Sequence, residues 1–484
     1  MRAIAGARAF VFGVSLSASG VCGCQTASPP PATPTPQLVR PRTASGDAPG
    51  LTQAAASLMP TATPDVVTAA QVAQATPAAG PLTVTDLEQL ALAHNPTLVQ
   101  AATFIDAARG KALQAGLPFN PTAGIIGEQI GADRTAGEWT FFSLQQQIVT
   151  GGKLRLSRMK YEQEAELAEI QAQAQRLKVV NGLTAAYFDV LVAQRAVENE
   201  RLLAKNAEEA MKTTEQLLNL GQANHQDLLQ AQVEASQARV AVRNAEARLR
   251  QEWVHLATQV GVPNLPMQPL VGQLEPDGPA LNRDEALARL LQDSPELAFA
   301  VTKVQQDRTQ LQRERREPIP NVTVRGGAGY NYETRNPTAQ VVLSLPIPVF
   351  DRNQGTVQQA AADLARSQAE VTRVSLDLQR RFADAFTRYE IGREQVENFR
   401  DQVLPKAKKA VELYEEQFKA RRAAFPQVLV ARRTAYQLNE EYNKSLTQFR
   451  RAEVEVRGLL LVDGLTAPRE PVPAGHINAT PKPR

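Results

Sequence analysis

Two kinds of hydrophobic spacing take turns along the chain. From Thr122 to Ile130, and again from Trp139 to Val149, apolar and polar residues exchange places at every second position, with Phe142, Leu144, Gln146 and Ile148 on one side. The same period returns at Val322-Thr323-Val324 and runs to the aromatic pair Tyr330 and Tyr332. It resumes from Gln340 to Val349, with Val341, Leu343, Leu345, Ile347 and Val349 on one face. Runs of about ten residues at period two predict strand pairs, suited to a tilted membrane strand or to a soluble sheet. Trp139, Tyr330 and Tyr332 have the amphipathic rings that settle at a membrane–water interface. After each strand pair the spacing becomes helical. No proline occurs between Pro121 and Pro263, and the stretch from Lys153 to about Leu220 predicts a helix on the order of 100 Å long at 1.5 Å per residue. Alanines stand among its apolar positions (Ala165, Leu167, Ala168, Ile170, Ala172, Ala174), and small side chains let helices approach closely, as in coiled coils.

The pattern is duplicated. One half opens Leu82-Thr83-Val84-Thr85-Asp86-Leu87 and reaches His94-Asn95-Pro96-Thr97-Leu98. The other opens Leu281-Asn282-Arg283-Asp284-Glu285-Ala286 and reaches Asp293-Ser294-Pro295-Glu296-Leu297. In each, a capping residue (Thr83 or Asn282) starts a short helix and a proline opens the next. That second helix stops before Pro118 and Pro121, or before Pro318 and Pro320. Each long helix later turns back on itself. Gly221 suits a left-handed cap and Asn224 a new N-cap in the first half, while Pro426 fits a first helical turn in the second. Openings and turns share an offset of about 200 residues, which predicts repeats at 82–265 and 281–465.

The ends differ from this core. Arg2 and Arg8 precede a modestly apolar stretch, Phe10 to Val21, too short to span a bilayer. It leads to Val21-Cys22-Gly23-Cys24, the pattern of a bacterial lipobox, in which Cys24 is the residue expected to carry lipid and 1–24 the signal. Residues 25–80 are rich in Pro, Ala and Thr and are expected to form a disordered tether, as is the proline-rich tail 466–484. Net charge is +3, from 53 basic and 50 acidic residues, so no global field draws nucleic acid. Two cysteines and four histidines, the latter far apart, predict neither a disulfide framework nor a metal centre. Gly151-Gly152-Lys153 lacks the earlier glycine and the following Ser or Thr of a phosphate loop. No convergent acid, base or nucleophile set is visible, so neither enzyme activity nor a cofactor is expected.

A secreted chain without a long apolar span crosses a membrane only as a closed barrel. Four strands are too few, since membrane barrels need about eight or more, so several copies must share one barrel. A lipid-anchored periplasmic coiled-coil adaptor or structural protein is the competing reading of the helices alone.

Over nearly all of 82–465 the chain resembles the outer-membrane efflux protein family, the TolC-like channels. Gly151-Gly152-Lys153 and the turn Gly221…Asp227-Leu228-Leu229-Gln230-Ala231 are similar to that family's first repeat. Leu345-Pro346-Ile347-Pro348-Val349-Phe350-Asp351-Arg352-Asn353-Gln354-Gly355 resembles the branch serving heavy-metal exporters, as does a helix break at Leu404-Pro405-Lys406-Ala407. The resemblance implies a mainly α fold with a membrane β-barrel portion: a duplicated helix–β-hairpin–helix repeat, assembled as a homotrimer with a twelve-stranded barrel continued by a long α-helical barrel. It implies passive passage across outer membrane and periplasm, with heavy-metal cations delivered by the pump as the expected cargo and a periplasmic adaptor, an inner-membrane pump and outer-membrane lipid as partners. Gly151, Gly152, Pro346, Pro348, Asp351, Arg352, Asn353 and Gly355 would form the barrel-to-helix junction. Gly221, Asp227, Arg421, Arg422, Gln427 and Val430 would form the periplasmic tip. There Asp227 keeps the family's aspartate, whereas Arg421 replaces the usual glycine and Gln427 and Val430 the usual acidic residues. A gate contact of Asp227 with Arg421 and Arg422 is the expectation.

Overall fold

The computed structural model describes residues 82–468 apart from 222, 277, 421 and 424, so Cys24, Arg421 and most of the 466–484 tail lie outside the described residues. Two short helices open the repeats, α1 (Val84–His94) and, later, α5 (Arg283–Asp293). Thr83 caps the first in a reciprocal box with Asp86, and Asn282 caps the second by accepting from the amides of Asp284 and Glu285. Each is followed by a helix with proline in its first turn, α2 (Pro96–Gly116) and α6 (Pro295–Arg316). Both end just before the expected proline pairs.

Four strands follow the two openings: β1 (Thr122–Glu128) and β2 (Glu138–Ile148) in the first half, β3 (Val322–Asn331) and β4 (Asn336–Ser344) in the second. They form one antiparallel sheet in the order β1-β2-β3-β4. The central pairing, β2 on β3, therefore joins the two repeats. The last strand stops at Ser344 rather than continuing to Val349, because Pro346 and Pro348 have no amide to donate to a ladder.

From the sheet the chain runs down α3 (Lys153–Asn219), 67 residues long, and returns along α4 (His225–Val260). The second half descends α7 (Gln354–Asn398), passes a π-helical turn at Phe399–Val403, continues as α8 (Leu404–Lys419) and returns along α9 (Phe425–Arg457). The expected break at Pro405 is this π turn. The proline sits in the first turn of α8, and a locally wider winding accommodates its missing amide without interrupting the helix.

Beneath the sheet the helices stand side by side as α2, α3, α6 and α7, each packed on the next. This is the order of the strands they serve. The main apolar core lies further down, about 45 Å along α3 from its start at 1.5 Å per residue, where Leu183 and Tyr187 meet Leu87, Leu256, Phe386 and Tyr389. Phe382, Phe386, Tyr389 and Phe449 form a continuous ring stack there.

Candidate functional site

The sheet has two unlike faces. The register places Trp139, Phe142, Leu144, Gln146 and Ile148 of β2 on one side, level with Val322, Val324, Ala328 and Tyr330 of β3 and with Ala339, Val341 and Leu343 of β4. Many of these side chains are bare of protein: Phe142 is 61% exposed, Val341 82% and Leu343 66%. The opposite side is polar and bonded across the strands. Arg325 donates through Nε and Nη2 to Gln145 Oε1 at 2.9 and 2.6 Å, and Gln340 donates to Thr140 Oγ1 at 2.8 Å. Asn331 donates to Glu138 at 3.3 Å. One apolar side and one hydrogen-bonded polar side is the division a barrel wall needs between lipid and a water-filled lumen. Trp139 and Tyr330 face each other at the turn end of the sheet, and the Tyr332 ring packs edge-on to Tyr330, centroids 5.1 Å apart.

The polar side is tight where the repeats join. β2 bulges between Thr140 and Phe142, opposite Gly329 and Ala328, with Gly327 opposite Ser143. A Cβ on Gly329 would stand 2.1 Å from the Trp139 oxygen, and one on Gly327 2.6 Å from Thr140 Cγ2. Glycine is required at position 329 by close approach of the neighbouring backbone, whereas at position 327 the added carbon meets the Thr140 methyl first and the Phe142 oxygen at 3.0 Å.

At the junction, the two halves solve the same geometric problem differently. Gly151 and Gly152 both take positive φ, 68° and 70°, and α3 begins at Lys153. The Lys153 ammonium donates to the Ile319 oxygen at 2.8 Å, and the Thr150 hydroxyl donates to the Pro320 oxygen. In the second half Asn353 stands in place of Gly152, with φ 60°, and its side-chain amide donates to both the backbone oxygen and the carboxylate of Glu314. Asp351 accepts from the Asn353 amide at 2.9 Å, and the Arg352 amide donates to Gln354 at 2.9 Å. Gly355 lies inside α7 with open space around it, so neither crowding nor positive φ calls for glycine there. Pro346 and Pro348 are in the segment that follows β4.

Just below lies a buried charged network that period-based reading did not find. Arg313, 8% exposed, donates to Ser157 at 2.9 Å and to Glu314 at 2.6 Å, and Glu317 lies 3.5 Å away. Lys160, 6% exposed, lies over the Tyr161 ring. Burial, then repulsion by Arg313, pushes its pKa down to about 8, against the attraction of Glu164 and Glu314. Lys111 pairs with the buried Glu164 at 2.8 Å. The run Arg313-Glu314-Arg315-Arg316-Glu317 was visible as a charge run, and nothing local distinguishes its buried members from its exposed ones.

At the other end of the molecule, Gly221 has φ 67° and closes α3. Asn224 and Asp227 form a capping box: Asn224 Oδ1 accepts from the Asp227 amide at 3.0 Å, and the Asp227 carboxylate accepts from the Asn224 amide at 3.3 Å. Among the described residues Asp227 makes no ion pair, with Arg422 or any other cation. Within this protomer the Asp227 carboxylate is taken up in its own helix start rather than paired with Arg422; Arg421, the other partner expected for a gate contact, lies outside the described residues. Arg422 is exposed. Gln427 and Val430 line, with Ala407, Ala410 and Tyr414, a shallow apolar groove between α8 and α9.

A family model described as outer membrane efflux protein matches residues 87–262 and, a second time, 286–460. The chain belongs to the outer membrane efflux protein family. It is an outer-membrane efflux channel protein. Among curated proteins it is 26% identical over 385 residues to the cobalt-zinc-cadmium resistance protein CzcC of Cupriavidus metallidurans, a match spanning 79% of this chain and 91% of that protein. It is 26% identical over 298 residues to the nickel-cobalt-cadmium resistance protein NccC of Alcaligenes xylosoxydans xylosoxydans, covering 60% and 66% of the two chains. Among solved structures, CusC superposes with a TM-score of 0.65 at 16% identity, over 78% of this chain and 92% of that one. The Campylobacter jejuni outer-membrane channel CmeC superposes with a TM-score of 0.63 at 16% identity, over 79% and 86%. At such identities these structures establish the fold.

Proposed function

We propose that three copies of this chain close one barrel of about twelve strands, continued by a helical tube, and that this assembly is the outer-membrane part of a tripartite efflux system. The observation that carries the reading is the matching order of strands and helices, β1-β2-β3-β4 above α2-α3-α6-α7, with the sheet open at both edges. An open sheet with an apolar face has no stable place in a bilayer until its edges are paired. The repeats 82–265 and 281–465 each contribute one hairpin to the barrel and one helix turn to the tip. The channel itself performs no chemistry; cargo passes down its own gradient after delivery by an inner-membrane pump through a periplasmic adaptor. Divalent heavy-metal cations are the proposed cargo, on the strength of what the names of CzcC and NccC say of those proteins. Lipid on Cys24 would hold the N-terminus at the outer membrane.

Amine-reactive cross-linking of the detergent-extracted protein tests the assembly, and planar-bilayer conductance tests the pore. A trimer with a stable open or gated current is expected. A monomer released from membranes by alkali alone would overturn the barrel. Loss of metal tolerance in a deletion strain, restored by the gene, tests the cargo.

A further inference from the structure

The polar side of the sheet carries its charges at two separate levels. At the turn end Glu128 stands opposite Glu138 in the register, and Asn331 and Asn336 complete that row across the four strands. Nearer the helices a second row runs Thr122, Gln145, Arg325, Val342. Among the described strand residues on this side between the β2 bulge and the helices, Arg325 is the one charged group. Its neighbours there, such as Ser143, Gln147, Thr323 and Ser344, are neutral.

Arg325 is held in place without being neutralised. Its Nε and Nη2 both donate to Gln145 Oε1, at 2.9 and 2.6 Å. That partner is an uncharged amide, and among the described residues no carboxylate lies within ion-pair distance of the guanidinium. The forked donor geometry therefore fixes the side chain against the wall and leaves its positive charge uncompensated. Glu138 precedes Gln145 by seven residues on β2, about 23 Å of strand at 3.3 Å per residue. Through solvent, at a screening length of about 8 Å in physiological salt, the acidic row is too far away to cancel it.

We infer that Arg325 sets the charge selectivity of the barrel, as a cationic ring that favours small anions and opposes cations. The inference rests on the proposed oligomer, in which the polar side lines the lumen, and adds to it the residue that sorts ions there. Three copies place three guanidinium groups at one level. Twelve strands about 4.8 Å apart and tilted by about 40° put the backbone about 12 Å from the axis. Side chains narrow the lumen further, so a potential that decays over about 8 Å reaches across much of it. A divalent cation is repelled twice as strongly as a monovalent one. The barrier acts in both directions. A pump that fills the tube from below drives cations over it, whereas cations outside have no such drive and return slowly.

The test is the reversal potential of the full-length protein in planar bilayers under a KCl gradient. Arg325→Gln should lower the chloride-to-potassium permeability ratio, and Arg325→Glu should lower it several-fold further. Both shifts should be larger in dilute than in concentrated salt, where fixed charges are screened. Arg325→Lys gives up the forked bonds but keeps the charge, and should keep the parental ratio, which separates selectivity from strand bridging. A second arm does not depend on those variants assembling. In Arg325→Cys, a trimethylammonium thiosulfonate should restore the parental ratio and a sulfonate reagent should move it toward potassium, with unsubstituted protein as the control for Cys22 and Cys24. Normal currents with one ratio in the parent, Gln and Glu variants would overturn the ring and leave the proposed channel intact. So would labelling of Arg325→Cys by a bilayer-soluble maleimide but by neither charged reagent, which would put this position against lipid. Absence of any current from the unsubstituted protein would overturn both.

Discussion

The side-chain amide of Asn353 donates to Glu314 twice, to its backbone oxygen at 2.9 Å and to its carboxylate at 2.7 Å. The first residue precedes the descending helix of the second repeat as its N-cap, and the second lies in the last turn of the helix that leads up to β3. The bond therefore ties the way into the sheet to the way out of it. Because Asn353 also holds φ at 60°, side chain and backbone requirements coincide at one position. Asn353→Ala loses both hydrogen bonds and puts alanine, which tolerates the left-handed region less well than asparagine, at φ 60°, at a cost of about 2–4 kcal/mol. Asn353→Gly keeps the backbone and loses only the bonds. Urea unfolding midpoints should fall in the order parent, Gly, Ala; equal midpoints for Ala and parent would remove the assignment.

Gly329 lies on β3 directly against the Trp139 and Thr140 backbone of the other repeat. Gly329→Ala should sharply reduce the amount of protein with heat-sensitive gel mobility in the outer membrane, since its Cβ would lie 2.1 Å from the Trp139 oxygen. Gly326→Ala meets nothing within 4 Å and should behave as the parent. A strand glycine matters here for what approaches it, and the two variants separate that from a general loss of strand flexibility.

Lys160 makes stability depend on alkaline pH. Its pKa falls from 10.5 to about 8 on folding because burial disfavours the charged form. Between those values the unfolded chain binds more protons, so this group's contribution makes the folded state more stable as pH rises from about 8 to 10.5. Below about 8 both states carry the proton and the penalty is complete. Lys160→Met should raise the urea midpoint at pH 7 by up to a few kcal/mol equivalent and flatten the rise above pH 8. An unchanged pH profile in the variant would show that another group carries it.

At the tip, Asp227 acts first on its own helix. Asp227→Ala removes one half of the capping box and should weaken the start of α4 by about 1 kcal/mol. Loosening of the tip then appears as increased closed-state leak in planar bilayers. Asp227→Asn keeps an oxygen that accepts from the Asn224 amide and should leak no more than the parent. Equal leak in both variants would instead assign the effect to the lost charge, as in a gate salt bridge between subunits.

Much of the architecture was legible from spacing. The long helix was expected from Lys153 to about Leu220 and ends at Asn219; Thr83, Asn224 and Asn282 cap the helices they precede. The turn glycines at 151, 152 and 221 all have positive φ. These features depend on interactions within a few residues, so the residues themselves announce them. The end of β4 at Ser344 was also written in the sequence, in Pro346 and Pro348, where the apolar alternation outlasted the supply of amides.

The contacts that assemble the sheet were not legible. Arg325 and Gln145 are 180 residues apart, and a period of two places each on a face without saying which strand lies beside it. The buried state of Lys160 and Arg313 depends on helices from different repeats meeting, and a charge run looks the same whether it faces water or a neighbour. The sequence by itself determined element type, length and turning points, and with the duplication it pointed to the family. Only the tertiary structure decided that the hairpins share one sheet through β2 and β3, that the helices keep the strand order, and that Asp227 is held by its own N-cap. Backbone geometry imposes its periods on neighbouring residues, whereas pairing and burial are settled between segments whose separation along the chain carries no periodic signal.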